Sequence, residues 1–288
     1  MAADLYFNES PLIFTPRLAV SLDGLDKRGK SHWAICTTPD PIKVIKIDTG
    51  TDSAITKARS LGKRVQVMPV EFDIPDMSVI KAQDIDATQA ALWRKEWNRI
   101  VAACKLIQSE DPKNPTSTRT LVIDTGTALN KLLELAHFGK ARGNARQDLR
   151  TEMNGAYHKL FWDLYNKRKD LNIILIHQDK KQYVQNSKGD SVWNGKYERD
   201  GNNKTGFYVD LSVHCDWEPG IGQVRGDFYT EIMKDQPFRY LDLFREGGDS
   251  PVIGKKWYAS NPGDPSAFWN LGMTIFPETE ETPEIWGV

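Results

Sequence analysis

Short apolar runs alternate along this chain with stretches in which apolar positions recur every three to four residues. Leu18-Ala19-Val20-Ser21-Leu22, Val44-Ile45-Lys46-Ile47-Asp48, Thr120-Leu121-Val122-Ile123-Asp124 and Asn172-Ile173-Ile174-Leu175-Ile176 have the form of buried strands in a parallel sheet. Residues 65–72 read as another strand, in which Pro69 favours an edge or a bulge. Residues 31–37 and 53–61 read as short helices. Trp93, Trp97, Ile100, Val101, Cys104 and Ile107 keep a helical period over 88–109, and Asp111-Pro112-Lys113-Asn114-Pro115 breaks it. Leu129, Leu132, Leu133 and Ala136 form one stripe of the next helix. Met153, Tyr157, Leu160, Phe161 and Leu164 do the same over 149–169. Residues 183–204 are polar, with Gly189, Gly195 and Gly201, and read as a long loop or hairpin. Shorter antiparallel strands are expected at 207–214 and 228–233.

Strands alternating with helices predict an α/β fold. Its sheet is expected to be mainly parallel and twisted, flanked by helices, with the antiparallel strands toward the C-terminus. Residues 1–16 read as a lead-in, 17–245 as the core, and 246–288 as a C-terminal extension. The acidic, proline-containing tail from Pro277 is expected to be mobile. No internal repeat is visible.

Candidate chemistry concentrates at the carboxyl ends of the apolar strands, where open α/β sheets bind ligands. Gly24-Leu25-Asp26-Lys27-Arg28-Gly29-Lys30-Ser31 fits G-x-x-x-x-G-K-[ST] at every specified position. A strand precedes it and a helix follows, as a phosphate-binding loop requires; the alternative is a coincidental surface turn. Such a loop turns successive N–H groups toward a polyphosphate. The expected contacts come from Gly24, Asp26, Lys27, Arg28, Gly29, Lys30, Ser31 and His32. Lys30 would neutralise phosphate charge and Ser31 would bind Mg2+.

Asp124 is placed to hold the same Mg2+, and its alternative is a helix cap. Asp48 would orient the attacking water or extend the metal shell, or else serve its own turn, Asp48-Thr49-Gly50. Asp52 and Glu71 are weaker candidates for a general base. His177 and Gln178 end the last apolar run, where a polar side chain can sense the γ-phosphate; the alternative is a pair of satisfied polar groups.

Composition changes little in this picture. The chain has 288 residues, 40% hydrophobic and 27% charged, with a formal net charge of -1. That balance argues against a wholly basic nucleic-acid coat but leaves room for a local basic groove. No apolar run approaches the ~20 residues that cross a bilayer, so no membrane partner is expected. No secretory signal is expected either. Cys36, Cys104 and Cys215 are far apart and form neither a metal pair nor a disulfide framework. A reducing cytoplasm fits, that of the host if the chain is phage-encoded.

The phosphate loop, the segment from Pro41 to Gly50, Thr120-Leu121-Val122-Ile123-Asp124-Thr125-Gly126-Thr127 and Ile174-Leu175-Ile176-His177-Gln178 together resemble the RecA-like core ATPases. More closely, they look like small phage ATPases, often labelled AAA-family, that are recombinase or single-strand-annealing relatives. The resemblance covers about residues 16–245. It implies a RecA-like P-loop core using ATP and Mg2+. Lys30 and Ser31 match the Walker A lysine and hydroxyl, Asp124 the Walker B aspartate, and Gln178 the glutamine that couples ATP to DNA. One departure matters: where these enzymes carry a catalytic glutamate, this chain has Gly50. Turnover is therefore expected to be slow, to use Asp48 or Asp52, or to be absent.

The resemblance also implies two DNA-facing loops. Residues 139–150 hold Lys140, Arg142, Arg146 and Arg150 against Asp148. Residues 179–204 hold Lys180, Lys181, Lys188, Lys196, Arg199 and Lys204 against Asp179, Asp190, Glu198 and Asp200, with Tyr183, Trp193 and Tyr197 interleaved. Cations that follow a backbone and rings that stack on bases suit single-stranded DNA; a solvated loop is the alternative. A homo-oligomer is implied, with a neighbouring cation completing the site, and Lys234 is the candidate. A single-strand-binding or other replication protein is a further expected partner. Glu278, Glu280, Glu281 and Glu284 lead to Ile285 and Trp286, a tail that would compete with DNA, dock on a partner or merely solubilise. Two other functions remain open: a nucleoside-monophosphate-like kinase, from the local similarity of the loop to thymidylate kinases, and a nucleotide-gated protein with little turnover.

Overall fold

The computed structural model describes residues 16–70, 87–138, 147–187, 189–202, 204–220, 226–232 and 253–287. Its first half runs β1 (Ala19–Asp23), α1 (Lys30–Cys36), β2 (Ile42–Lys46), α2 (Asp52–Ser60), β3 (Val65–Pro69), α3 (Ala87–Gln108), β4 (Thr120–Asp124), α4 (Gly126–Phe138) and α5 (Gln147–Lys167). It continues with β5 (Asn172–Ile176), β6 (Gln178–Gln185), β7 (Ser191–Asp200), β8 (Leu211–Trp217), β9 (Phe228–Ile232), β10 (Lys256–Ala259) and α6 (Ser266–Ile275).

Eight strands form one sheet in the order β10-β9-β8-β1-β5-β4-β2-β3. Neighbours from β8 to β3 are parallel, and β8-β9-β10 are antiparallel. This is the α/β arrangement expected, a mainly parallel sheet with its antiparallel strands toward the C-terminus. β1, β4 and β5 are buried along their whole length, which is why each reads as an unbroken apolar run. Pro69 ends β3, the edge strand, where a residue without an N–H costs no ladder hydrogen bond.

Successive strand residues face opposite sides, so the sheet carries two cores. Val20, Leu22, Val122 and Ile174 pack under α1, α2 and α6, joined by Trp33, Phe268 and Trp286. Leu121, Ile123, Ile173 and Leu175 pack under α3, α4 and α5. Cys36, Cys104 and Cys215 are buried free thiols, and burial pushes Cys104 up to about 12. No helix among the described residues is long and apolar enough to cross a membrane.

Two expectations are corrected. Residues Thr205–Phe207 form a 3-10 turn rather than a strand start, and β8 begins at Leu211. Of the two forms expected for the polar segment after β5, it takes the hairpin, β6 paired with β7 in a sheet of its own. The tail from Pro277 is packed, not mobile. It forms 3-10 turns at Pro277–Thr279 and Pro283–Trp286, and Trp286 is fully buried. Its indole stacks on Phe276 at 5.8 Å and 6°, and its Nε1 donates to Thr279 Oγ1 at 2.7 Å. The apolar end of an otherwise acidic segment outweighs its charge, because the ring finds a slot against Gly272.

Candidate nucleotide site

β1 brings the chain to the sheet edge at Asp23, and the loop turns back to open α1. Two glycines make that turn. Gly24 has φ +140, and a Cβ on it would lie 2.5 Å from the Cys215 carbonyl oxygen of β8. Gly29 has φ +88, and a Cβ there would lie 2.4 Å from Pro262 Cγ. Neither backbone conformation nor space admits another residue. Lys30, 8% exposed, folds across the loop: Nζ donates to the carbonyls of Gly24 at 2.6 Å and Leu25 at 2.8 Å.

The contact that assembles the site comes from far along the sequence. Ser31 Oγ donates to Asp124 Oδ2 at 2.7 Å, and Thr51 Oγ1 donates to the same oxygen at 2.8 Å. Asp124 is 2% exposed. Burial raises its pKa, with Asp48 adding to the rise, while the two hydroxyls and Lys30 oppose it. The helix-cap alternative falls to its neighbour, since Thr125 Oγ1 accepts the Ala128 N–H at 3.0 Å. Hydroxyl and carboxylate oxygens are the hard donors Mg2+ takes. A buried carboxylate whose ionised form burial disfavours is one that a cation would hold ionised. The residues therefore fit Mg2+, which Ser31 and Asp124 would hold.

A cavity of about 830 Å³ opens over this contact, within the range of nucleotide-sized sites. The loop residues 26–32 line it, together with Asp48, Asp124 and Gln178. Gly24 lies behind the loop and does not line it. Arg28 is ion-paired with Asp216 at 2.9 Å. His32 has its pKa lowered, first by burial and then by Lys57. Asp48 accepts the Gly50 N–H at 3.4 Å, so it serves its turn while facing the cavity. Asp52 is ion-paired with Lys46 at 2.5 Å, which removes it as a convincing base. Glu71 lies outside the described residues.

No protein-family model matches the chain, and no curated protein matches it in sequence. Among solved structures, a KaiC-like protein from the hyperthermophilic archaeon Pyrococcus horikoshii OT3 is similar to it, with a TM-score of 0.42 and 13% identity. The match covers 87% of this chain and 89% of that chain.

His177 does not face the phosphate position. It is fully buried, with Nδ1 3.1 Å from the Asp200 carbonyl and Nε2 without a hydrogen-bond partner. Burial, with Arg199 nearby, lowers its pKa to about 3, so the ring is neutral. Gln178 does line the cavity, and its N–H donates to Thr127 Oγ1 at 3.0 Å. Sequence reasoning missed a polar group behind the loop. His214 Nδ1 lies 2.7 Å from Asp23 Oδ1. Burial pulls the His214 pKa down, but the bond and charge of Asp23, with Asp179 and Asp216, outweigh it and leave it raised. Burial, then Asp23, pushes Asp179 up to about 6. Asp23 ends β1 and His214 sits opposite it on β8; only the pairing of two distant strands brings them together, and no local signal announces it.

Of the expected DNA contacts, Lys140, Arg142 and Arg146 lie outside the described residues, as does Lys234. Arg150 is exposed on α5. On the hairpin, Trp193 and Tyr197 are exposed and pack edge to face at 5.9 Å, with Lys181 Nζ 5.0 Å above the Trp193 ring. Lys196 is exposed beside them, its carbonyl accepting Trp193 Nε1 at 2.9 Å. Lys180 is tied to Glu198 at 3.6 Å and Asp200 at 3.4 Å. Arg199 turns inward instead, donating to Ser21 Oγ at 2.9 Å.

Proposed function

We propose that this chain is a Mg2+-dependent ATPase that binds ATP on the 24–31 loop and uses it to control its grip on single-stranded DNA, as a homo-oligomer. The observation that carries the reading is the 2.7 Å contact between Ser31 and Asp124 at the mouth of a glycine-turned loop. It joins the two metal-binding side chains that a P-loop site needs. The N–H groups of 26–32 would cradle the phosphates. Lys30 would leave its carbonyl partners for the β- and γ-phosphate oxygens, and Mg2+, when bound, would draw charge from the transferred phosphoryl group.

The hairpin supports the DNA half of the reading. Its exposed Trp193, Tyr197 and Lys181 are the side chains that stack on bases and follow phosphates. Gln178, its first residue, borders the cavity. Gly50 supports slow turnover: it lines the cavity, and a Cβ built on it meets nothing within 4 Å. No carboxylate is supplied there, and Asp48 is the nearest candidate to orient water.

Phosphate release from ATP, with and without single-stranded DNA, tests the proposal. Release should require Mg2+, rise with DNA and vanish in Lys30→Ala. Tight ATP binding with no release under either condition would replace it with a nucleotide-gated role. Transfer to nucleoside monophosphates without DNA binding would replace it with a kinase.

A further inference from the structure

We propose that Asp23, Asp179 and His214 form a site for a divalent transition-metal ion, with two carboxylate oxygens and one imidazole nitrogen as its ligands. The site lies apart from the nucleotide cavity, which none of the three lines. The proposal does not depend on what that cavity binds.

Three strands supply the ligands. Asp23 ends β1, and His214 stands beside it in the register of β8. Asp179 is the second residue of β6 and comes from the base of the hairpin. One ligand atom of each lies within 4.8 Å of those of the other two. Bonds of ~2.0–2.2 Å set ligand atoms ~3–4 Å apart around a metal, so small side-chain movements would close the three on one ion. Asp23 is 5% exposed, and the other two are half-buried. The His214 side chain is 22% exposed, which leaves an entry path and room for a water ligand.

Charge is what singles this group out. Two carboxylates converge in a largely buried place, where like charges repel. The cations around them are bonded to other groups. Arg199 Nη1 donates to Ser21 Oγ at 2.9 Å and to Ser212 Oγ at 3.5 Å. Lys30 Nζ donates to the carbonyls of Gly24 and Leu25, and Arg28 is paired with Asp216. Compensation falls to protons. His214 Nδ1 meets Asp23 Oδ1 at 2.7 Å, and both His214 and Asp179 hold a proton more tightly than usual. Metals compete with protons for such ligands. A divalent ion in their place would leave both carboxylates ionised and the imidazole neutral. Asp216 Oδ2 lies 4.0 Å from His214 Nε2, the ring nitrogen that would stay off the ion.

The ligand set names the class. Imidazole nitrogen suits Zn2+, Fe2+ and Ni2+, whereas Mg2+ prefers oxygen. Three protein ligands with water in the fourth position is an arrangement that Zn2+ takes. A bound ion would fasten the hairpin base to β1 and β8, beside Gly24, whose N–H donates to Asp179.

Titration calorimetry on the full chain without nucleotide, with Zn2+ and Mg2+ as probes, tests this. One Zn2+ should bind, tighter than Mg2+ by about ten-fold or more. Asp179→Asn and His214→Ala each remove a ligand and should each weaken Zn2+ by about ten-fold or more. Asp124→Ala should leave Zn2+ affinity unchanged, which separates this site from the one in the cavity. Zn2+ should also raise the melting temperature of the unaltered chain and leave that of Asp179→Asn where it was. Should His214→Ala fail to fold, Asp179→Asn, which keeps the shape of its side chain, decides alone. A chain that binds no Zn2+ overturns the proposal. So does equal Zn2+ affinity in the unaltered chain and Asp179→Asn, or Zn2+ binding that Asp124→Ala abolishes.

Discussion

Asp124 and His177 end or follow neighbouring buried strands, yet burial drives them to opposite uses. Asp124 keeps two hydroxyl donors and faces a cavity, so a cation can restore its charge. His177 faces the interior and stays neutral, bonded through Nδ1 to the Asp200 carbonyl. Its folded pKa of about 3 lies below the ordinary 6.5, so the unfolded chain binds the proton first. The stability that the neutral ring contributes is therefore complete above pH 6.5 and is lost as pH falls toward 3. One proton gives a slope of up to about 1.4 kcal/mol per pH unit. His177→Asn cannot titrate and still offers a donor to Asp200. Its urea midpoint, measured from pH 7 to pH 4, should fall less steeply than that of the unaltered chain. Asp179 works in the other sense: its folded pKa of about 6 exceeds the ordinary 3.8, so its contribution is present at low pH and is lost between pH 4 and 6. Both chains share that trend, and the difference between them isolates His177. Parallel profiles would mean that the imidazole binds its proton equally well in the folded and unfolded chain.

At the scale of elements, the hairpin is the part that the sequence leaves open between two forms, a loop or a ribbon. A two-stranded ribbon is marginal alone, and this one is held at its base. Thr127 Oγ1 donates to the Asp200 carbonyl at 2.6 Å, and Arg199 reaches Ser21 and Ser212. Beyond that base, Tyr183, Val184, Val192, Trp193 and Tyr197 are all exposed. Changing Trp193 and Tyr197 together to Ala should therefore leave the melting temperature almost unchanged. It should weaken single-stranded DNA binding by about ten-fold or more, at ~1–3 kcal/mol per lost stack, read by fluorescence anisotropy. Unchanged DNA affinity would leave the exposed rings without that role. β4, β5 and α3 were legible because burial writes a regular apolar pattern into a sequence. The hairpin was legible only as one of two forms, a loop or a hairpin, because strands exposed on both faces carry no alternation. The same contrast divides the site. The 24–31 loop is contiguous and announces itself, as do Ser31 and Asp124. Thr51, brought in by the turn after β2, and His214, brought in by the pairing of β1 with β8, come from positions whose residue types carry no signature of their own.

At the scale of the molecule, the last residues close the core layer that lies beneath the loop. Trp33 of α1 meets Phe268 of α6 at 5.7 Å, and Phe268 meets Trp286 at 5.9 Å. One aromatic chain thus runs from the helix that opens at the 24–31 loop to Trp286. Trp286→Ala would empty a fully buried site, and such a change costs about 3–5 kcal/mol. In a chain of this length that is a melting temperature lower by on the order of 10 °C. Deleting 277–288 should do at least as much, since it removes the same ring together with Ile285, which packs against the same core. A detachable tail that competed with DNA for a basic groove makes the opposite prediction: its deletion would raise DNA affinity and leave the melting temperature where it was. Calorimetric melting of the truncated chain beside its DNA titration separates the two. The buried ring favours the first, because an acidic tail that must leave its place to act would have to expose an indole now packed against Phe268, Gly272 and Phe276.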